Sequence, residues 1–215
     1  MSKTYLTQLA AAFEIWGMAP NPSAWQKLID YLALLSKWNK VYNLTAIRDE
    51  QEMFVKHLLD SLVVAPHIDS QRLIDVGTGG GLPGIPLAIL FPDRQIDLLD
   101  SNSKKTRFLI QAKAELGLEN TQVIHHRVEA YQPEELYDGV VSRAFASLDD
   151  MLHWTPHLLK EEGTWWAMKS QKTQDELSHL ANFARIVQVF ELKIPGLQAE
   201  RTLIQIQKMS ESLNI

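Results

Sequence analysis

The chain has 215 residues, 46% hydrophobic and 22% charged, and its 21 Lys and Arg against 26 Asp and Glu give a formal net charge of −5. That balance excludes wholesale disorder, collagen-like repeats and low complexity, and the length suits one domain with a small appendage. The chain has no cysteine, so disulfides, thiolate metal sites and cysteine nucleophiles are excluded, and the acidic total argues against a generic polyanion binder without ruling out a local basic face.

Met1 to Trp16 has no signal-peptide pattern, since Glu14 interrupts it, and no apolar run reaches the roughly 18 residues of a membrane helix. A soluble cytoplasmic protein is expected. Tyr5, Leu9, Ala12, Phe13 and Trp16 recur at helical spacing up to Gly17. A second apolar stripe runs from Ser23 through Trp25, Leu28, Leu32 and Leu35 to Trp38, followed by a polar stretch, Asn39 to Arg48. Asp49 with Glu52 has capping-box spacing and opens a third helix that runs to Pro66. From Arg72 the pattern changes. Strands are predicted at Arg72 to Val76, Gln95 to Leu99, Gln122 to His125, Gly139 to Ser142 and Thr164 to Met168. Helices alternate with them, including Lys104 to Leu116, Leu148 to Leu158 and Thr173 to Ala184. Ile186 to Ile194 and Thr202 to Gln207 read as a closing antiparallel pair. The expected fold is α/β: a doubly wound, seven-stranded, mostly parallel sheet over 71–215, with residues 1–70 as a helical N-terminal appendage packed on it.

The main chemical signal is the run Asp75-Val76-Gly77-Thr78-Gly79-Gly80-Gly81-Leu82-Pro83-Gly84, between a strand and a helix. Such glycines permit a tight turn and let a ligand approach the backbone. Gly79, Gly81 and Gly84 satisfy the dinucleotide fingerprint, but that match alone is weak. A carboxylate at Asp75 repels a pyrophosphate and favours a ligand ammonium group. The glycines also start two residues after an acid, as in S-adenosylmethionine enzymes. Asp100 ends the second strand, where it either accepts the hydroxyls of a ribose or caps the next helix. A P-loop is excluded because no Gly-Lys-Ser/Thr follows.

Open sheets bind ligands beyond the carboxyl ends of their strands, which draws attention to Arg127-Val128-Glu129 and Ser142-Arg143-Ala144. The backbone near Val128 suits an adenine edge, and Arg143 suits cofactor or substrate. The plain alternatives are a solvated acid at Glu129 and a surface salt bridge at Arg143. Metal binding is not expected: His153 and His157 have Pro156 between them and no third ligand, and His125 and His126 point to opposite faces of a strand.

The chain resembles the bacterial 16S ribosomal RNA guanine-N7 methyltransferases, also called the glucose-inhibited division protein B family. The resemblance spans nearly the whole chain. It rests on Trp38-Asn39 with Asn43-Leu44-Thr45, His57 with Asp60-Ser61, Asp75 through Pro86, Leu98 through Ser101, Arg127 through Glu129, Ser142 through Ala144, and Lys169. It implies a Rossmann-like methyltransferase fold, S-adenosylmethionine as cofactor and a guanine of 16S ribosomal RNA as substrate. It implies cofactor contacts at Gly77, Leu82, Val128, Glu129 and Arg143, to which the loop itself adds Asp75, Gly79 and Asp100. Asn39, Asn43, Thr45, His57 and Lys169 become substrate-side candidates. Many relatives have proline or alanine where this chain has Gly80, which bears on loop stiffness and not on the ligand.

Transfer of a methyl group to guanine N7 needs alignment and no catalytic base, because the nitrogen lone pair carries no proton. Arg143 is the candidate for orienting cofactor or guanine. For RNA, Ser36 to Arg48 holds three basic residues and no acid, and Ser101 to Arg127 has a net charge of +3. Lys104, Lys105 and Arg127 are therefore candidates for phosphate contact, the alternative being ordinary solvated helix faces. Trp38 and Tyr42 suit base stacking, although Trp38 at helical spacing suits a core equally well. Two other functions fit less of the chain: a nucleotide-dependent oxidoreductase, and a ribosome-assembly factor that only senses the cofactor. A monomer acting on the small ribosomal subunit or an assembly intermediate is expected.

Overall fold

The structure is a computed structural model that describes residues 2–19, 21–143, 145, 147–170 and 180–209. Helices fill the first part: α1 (Ser2–Ile15), α2 (Pro22–Tyr42), α3 (Glu50–Met53) and α4 (Asp60–Leu62). Asn21 caps α2 by accepting the Ala24 amide, and Pro22 occupies its first turn, where no partner for an N–H is needed. Helix α2 extends through Asn39 to Tyr42, past the end that the polar stretch suggests, and stops where Asn43 takes a left-handed φ of 50°. The third predicted helix exists, but a π-helical segment, Phe54–Leu59, joins α3 to α4. This wide turn carries His57 and leads directly into Asp60, and π-turns of this kind often mark functional positions.

Seven strands form one sheet in the order β3-β2-β1-β4-β5-β7-β6. They are β1 (Arg72–Val76), β2 (Gln95–Asp100), β3 (Val123–His125), β4 (Tyr137–Ser142), β5 (Leu159–Lys169), β6 (Ala184–Leu192) and β7 (Arg201–Lys208). The β3-β2-β1-β4-β5 part is parallel, and β7 runs antiparallel between β5 and β6. Helices α5 (Gly84–Leu90), α6 (Ser103–Leu116) and α7 (Leu148–Trp154) follow β1, β2 and β4. Each parallel pair thus returns through a crossover, so the carboxyl ends of β1, β2, β3 and β4 lie along one edge.

The sheet separates two cores. One packs α1, α2, α5 and α6 against Leu73, Leu98, Val141 and Trp166, and the other packs α7 against Ile74, Val140, Trp165 and Ile206. The adjacent tryptophans point to opposite faces, as strand alternation requires, and both are buried. Their indole N–H groups donate to Thr155 Oγ1 and Ser70 Oγ, so neither costs an unmade bond.

Three helix predictions need correction. The helix expected to run to Pro66 ends with α4 at Leu62, and turns follow. The helix expected over Leu148 to Leu158 ends at Trp154, and Pro156–Leu158 forms a separate 3-10 turn. Pro156 has no N–H to donate and disfavours helical backbone at Thr155. The helix expected over Thr173 to Ala184 lies mostly outside the described residues. Its described end is irregular up to Ala184, which already belongs to β6.

Candidate functional site

The glycine loop leaves β1 and lies against the end of β2, with the Gly77 and Thr78 amides donating to the Leu99 carbonyl at 2.9 and 3.1 Å. Gly77 has φ +69°, left-handed backbone that a side chain would strain. Gly84 is required for a different reason, close approach: a Cβ there would stand 2.9 Å from Asp75 Oδ2.

The sequence predicts an Asp75 carboxylate that faces a ligand ammonium group. The structure instead buries it fully and turns it into the loop, where Oδ2 accepts the Thr78 hydroxyl at 2.6 Å and the Gly84 amide at 2.8 Å. Burial raises its pKa to about 6, against the opposing effect of those two bonds. Its Oδ1 is buried without a hydrogen-bond partner among the described residues. Asp75 therefore braces the turn from inside. Asp100 braces it from outside: Oδ2 accepts the Gly79 amide at 2.9 Å and lies 3.5 Å from Lys105 Nζ, and Oδ1 accepts the Asn102 amide at 2.8 Å. The cap of α6 is Asn102, so the capping alternative for Asp100 falls away.

Helix α2 closes over the same loop. The buried Tyr31 hydroxyl donates to the Gly80 carbonyl at 2.6 Å. Burial raises the Tyr31 pKa further above its already high ordinary value, so the phenol stays a donor.

Three clefts open along the carboxyl edge of the sheet. The first, about 290 Å³, is lined by Gly77, Asp100, Lys105, Arg127, Val128, Glu129, Phe145 and Trp154 among others. The second, about 170 Å³, lies between the loop and Thr45, with Gly77, Gly79, Leu82, His57 and Arg143 in its wall. The third, about 470 Å³, is lined by Lys56, His57, Asp60, Arg143, Phe145, Lys169 and Arg201. Gly77 is common to the first and second, His57 and Arg143 to the second and third, and Phe145 to the first and third. The clefts are therefore neighbours with shared walls.

At this junction Asp60, 5% exposed, holds two arginines. Its Oδ2 lies 2.8 Å from Arg143 Nη1, and its Oδ1 lies 2.6 Å from Arg201 Nε. His57 shares a 2.8 Å hydrogen bond with Thr45 Oγ1 through Nε2. Burial, aided by the nearby Arg143 charge, lowers its pKa to about 4, which leaves the ring neutral at ordinary pH.

The structure sorts the remaining candidates. Gly79, Leu82, Asp100, Val128, Glu129 and Arg143 line the first or second cleft together with Lys105 and Arg127, and Lys169 lines the third. Asn39 is 2% exposed and works as a brace: its Oδ1 accepts the Thr45 amide and its Nδ2 donates to the Ile47 carbonyl. Asn43 turns the chain and accepts from Arg48. Lys104 is exposed on the first turn of α6 and lines none of the three clefts. Tyr31, Lys56, Phe145 and Arg201 escape the sequence reading. Phe145 stands two residues beyond Arg143, which is a usable signal, whereas nothing local marks Arg201.

The family model of GidB, rRNA small subunit methyltransferase G, matches residues 24–204. A ribosomal RNA small subunit methyltransferase G from Hydrogenovibrio crunogenus is 74% identical over 97% of this chain and 96% of its own. One from Pseudomonas paraeruginosa is 48% identical over 97% of this chain and 98% of its own. Among solved structures, TrmN from Thermus thermophilus superposes with a TM-score of 0.57 at 14% identity, over 80% of this chain and 53% of that one. A putative O-methyltransferase from Klebsiella pneumoniae gives 0.56 at 12% identity, over 84% and 90%. At such identities the likeness is one of fold. The matched family and the near full-length identity together place the chain in the GidB family of ribosomal RNA small subunit methyltransferases.

Proposed function

We propose that the protein transfers a methyl group from S-adenosylmethionine to N7 of a guanine in 16S ribosomal RNA, and that residues 1–70 form a helical appendage to a cofactor-binding domain over 71–215. The observation that carries this reading is the adjacency of the three clefts, which share Gly77, Arg143 and Phe145 pairwise in their walls. The residues present fit the cofactor. Gly77 stands in the walls of two clefts, one with acids among its lining residues and one that contains a guanidinium. Asp100, Val128 and Glu129 would hold the adenosine side, and Gly79, Leu82 and Arg143 the methionine side. Asp75 acts on the cofactor only through the loop it braces.

Bound S-adenosylmethionine supplies a methyl group made electrophilic by a positively charged sulfur. The chain aligns that group with the acceptor and keeps water away. The third cleft would receive the guanine, with Phe145 offering an aromatic face beside the junction and Lys56, Lys169 and Arg201 offering charge to RNA phosphates. Guanine N7 gives up no proton, so the chain needs no base. His57 fits that economy, since a ring with a pKa of about 4 bonded to Thr45 is a weak proton acceptor. The protein acts as a cytoplasmic monomer on the small ribosomal subunit or an assembly intermediate.

The test is incubation of the protein with radiolabelled S-adenosylmethionine and small subunits that lack the modification, followed by mapping of the labelled nucleotide. Label at N7 of one guanine is expected. Unlabelled RNA with intact cofactor binding would point to a cofactor-sensing assembly factor. Gly77→Asp should abolish binding, because it places a charged side chain on left-handed backbone in the wall of two clefts.

A further inference from the structure

The chain is acidic in total, yet it holds no acid between Asp30 and Asp49 and none between Asp100 and Glu115. These stretches contain the second half of α2 and nearly all of α6. The fold brings them together. Trp38 of α2 packs on Phe108 of α6 with ring centroids 5.6 Å apart. Around this seam Lys37, Lys104 and Arg107 are all exposed, each within about one turn of a packed ring. None of the three forms an ion pair with another described residue. Three such cations in a chain with excess acid make a local field of opposite sign to the whole.

An aromatic platform lies beside the cations. Trp38 stacks on Tyr42 at 5.1 Å and 26°, and Tyr42 is 40% exposed. The surface also borders the clefts. Lys105, on the first turn of α6, reaches Asp100, and the chain after Tyr42 runs on to Ile47 in the wall of the third cleft.

We propose that this seam is a docking surface for the ribosomal RNA that flanks the target guanine, with phosphates on the three cations and an unpaired base on Tyr42. The proposal rests on the RNA-methylation reading above. Cations beside an exposed aromatic face suit RNA, because phosphate contact and base stacking are the two sequence-tolerant ways to hold a single strand. The surface would let an acidic protein bind a polyanion without a basic total.

The test uses Lys37→Gln/Lys104→Gln/Arg107→Gln, whose three positions are exposed and lie outside the clefts. Binding to unmodified small ribosomal subunits is measured across a salt series, with cofactor affinity and melting temperature as controls. Affinity should fall at least about 10-fold, and the slope of log affinity against log salt should become shallower by about two, with both controls unchanged. Tyr42→Ala should weaken binding several-fold and Tyr42→Phe should restore it. If the wild-type protein methylates RNA and the triple variant matches it in affinity and slope, the docking surface alone is overturned. Lost affinity with an unchanged slope also overturns it, since the contact would then be to ribosomal protein. A wild-type protein that leaves RNA unmethylated overturns the functional reading and this proposal with it.

Discussion

Asp60 and Arg201 are 141 residues apart in sequence, yet Asp60 Oδ1 lies 2.6 Å from Arg201 Nε, while its other oxygen takes Arg143 at 2.8 Å. One buried carboxylate thus ties the start of α4 to the end of β4 and the start of β7. It also aims two guanidinium groups at the third cleft.

Removal of that carboxylate leaves two half-buried cations facing each other. Asp60→Asn should cost about 2–4 kcal/mol of unfolding free energy and most of the turnover. Arg143→Ala leaves Asp60 paired with Arg201, so the stability loss should be nearer 1 kcal/mol, as about one charged hydrogen bond is lost, while turnover falls at least as far. Denaturant melts and methyl-transfer rates on both variants check this. Equal stability losses would mean that Arg143 is mainly structural.

Asp75 gives the stability a pH signature. Its folded pKa, raised to about 6, exceeds its ordinary 3.8, so the folded state binds the proton more tightly than the unfolded chain. Its contribution is therefore most favourable at low pH and is lost as pH rises from about 4 to about 6. The difference between those two pKa values corresponds to roughly 3 kcal/mol. Asp75→Asn should remove that downward slope from the stability-versus-pH curve. A variant curve parallel to wild type throughout would contradict the buried-acid account.

His57 acts in the opposite sense over an overlapping range. Its pKa, lowered to about 4 from 6.5, makes the unfolded chain the better proton binder. Its contribution is full above pH 6.5 and is lost as pH falls towards 4. The ring's NMR titration should have its midpoint near 4. A midpoint near the ordinary 6.5 would show an exposed ring without the Thr45 bond.

Tyr31→Phe deletes one hydroxyl and leaves the Gly80 carbonyl without its donor. The expected cost is about 1–2 kcal/mol in stability, together with a several-fold weaker affinity for S-adenosylmethionine by titration calorimetry, because the loop loses its clamp from α2. Unchanged affinity would show that the loop holds its shape without α2.

Much of the fold is legible because its signals are local. The strand cores match the alternating runs, including the buried Trp165 and Trp166. Departures fall where a longer-range or backbone effect intervenes. Asn39 reads as a polar loop residue, but it is a buried helix residue that braces Thr45 and Ile47. Leu148 to Leu158 reads as continuous, yet Pro156 breaks it.

The alternation of strands and helices, the glycine turn after β1 and the lack of cysteine chemistry all follow from the chain read in one dimension. Periodicity and turn chemistry act over a few residues, so a linear reading captures them. Other relations exist only in three dimensions: Asp75 turns inwards, Tyr31 clamps Gly80, Asp60 couples Arg143 to Arg201, and two acid-free segments share one face at Trp38 and Phe108. They depend on sheet order and helix packing, which place side chains 49, 83 and 141 residues from their partners within hydrogen-bond distance, and no local spacing encodes them.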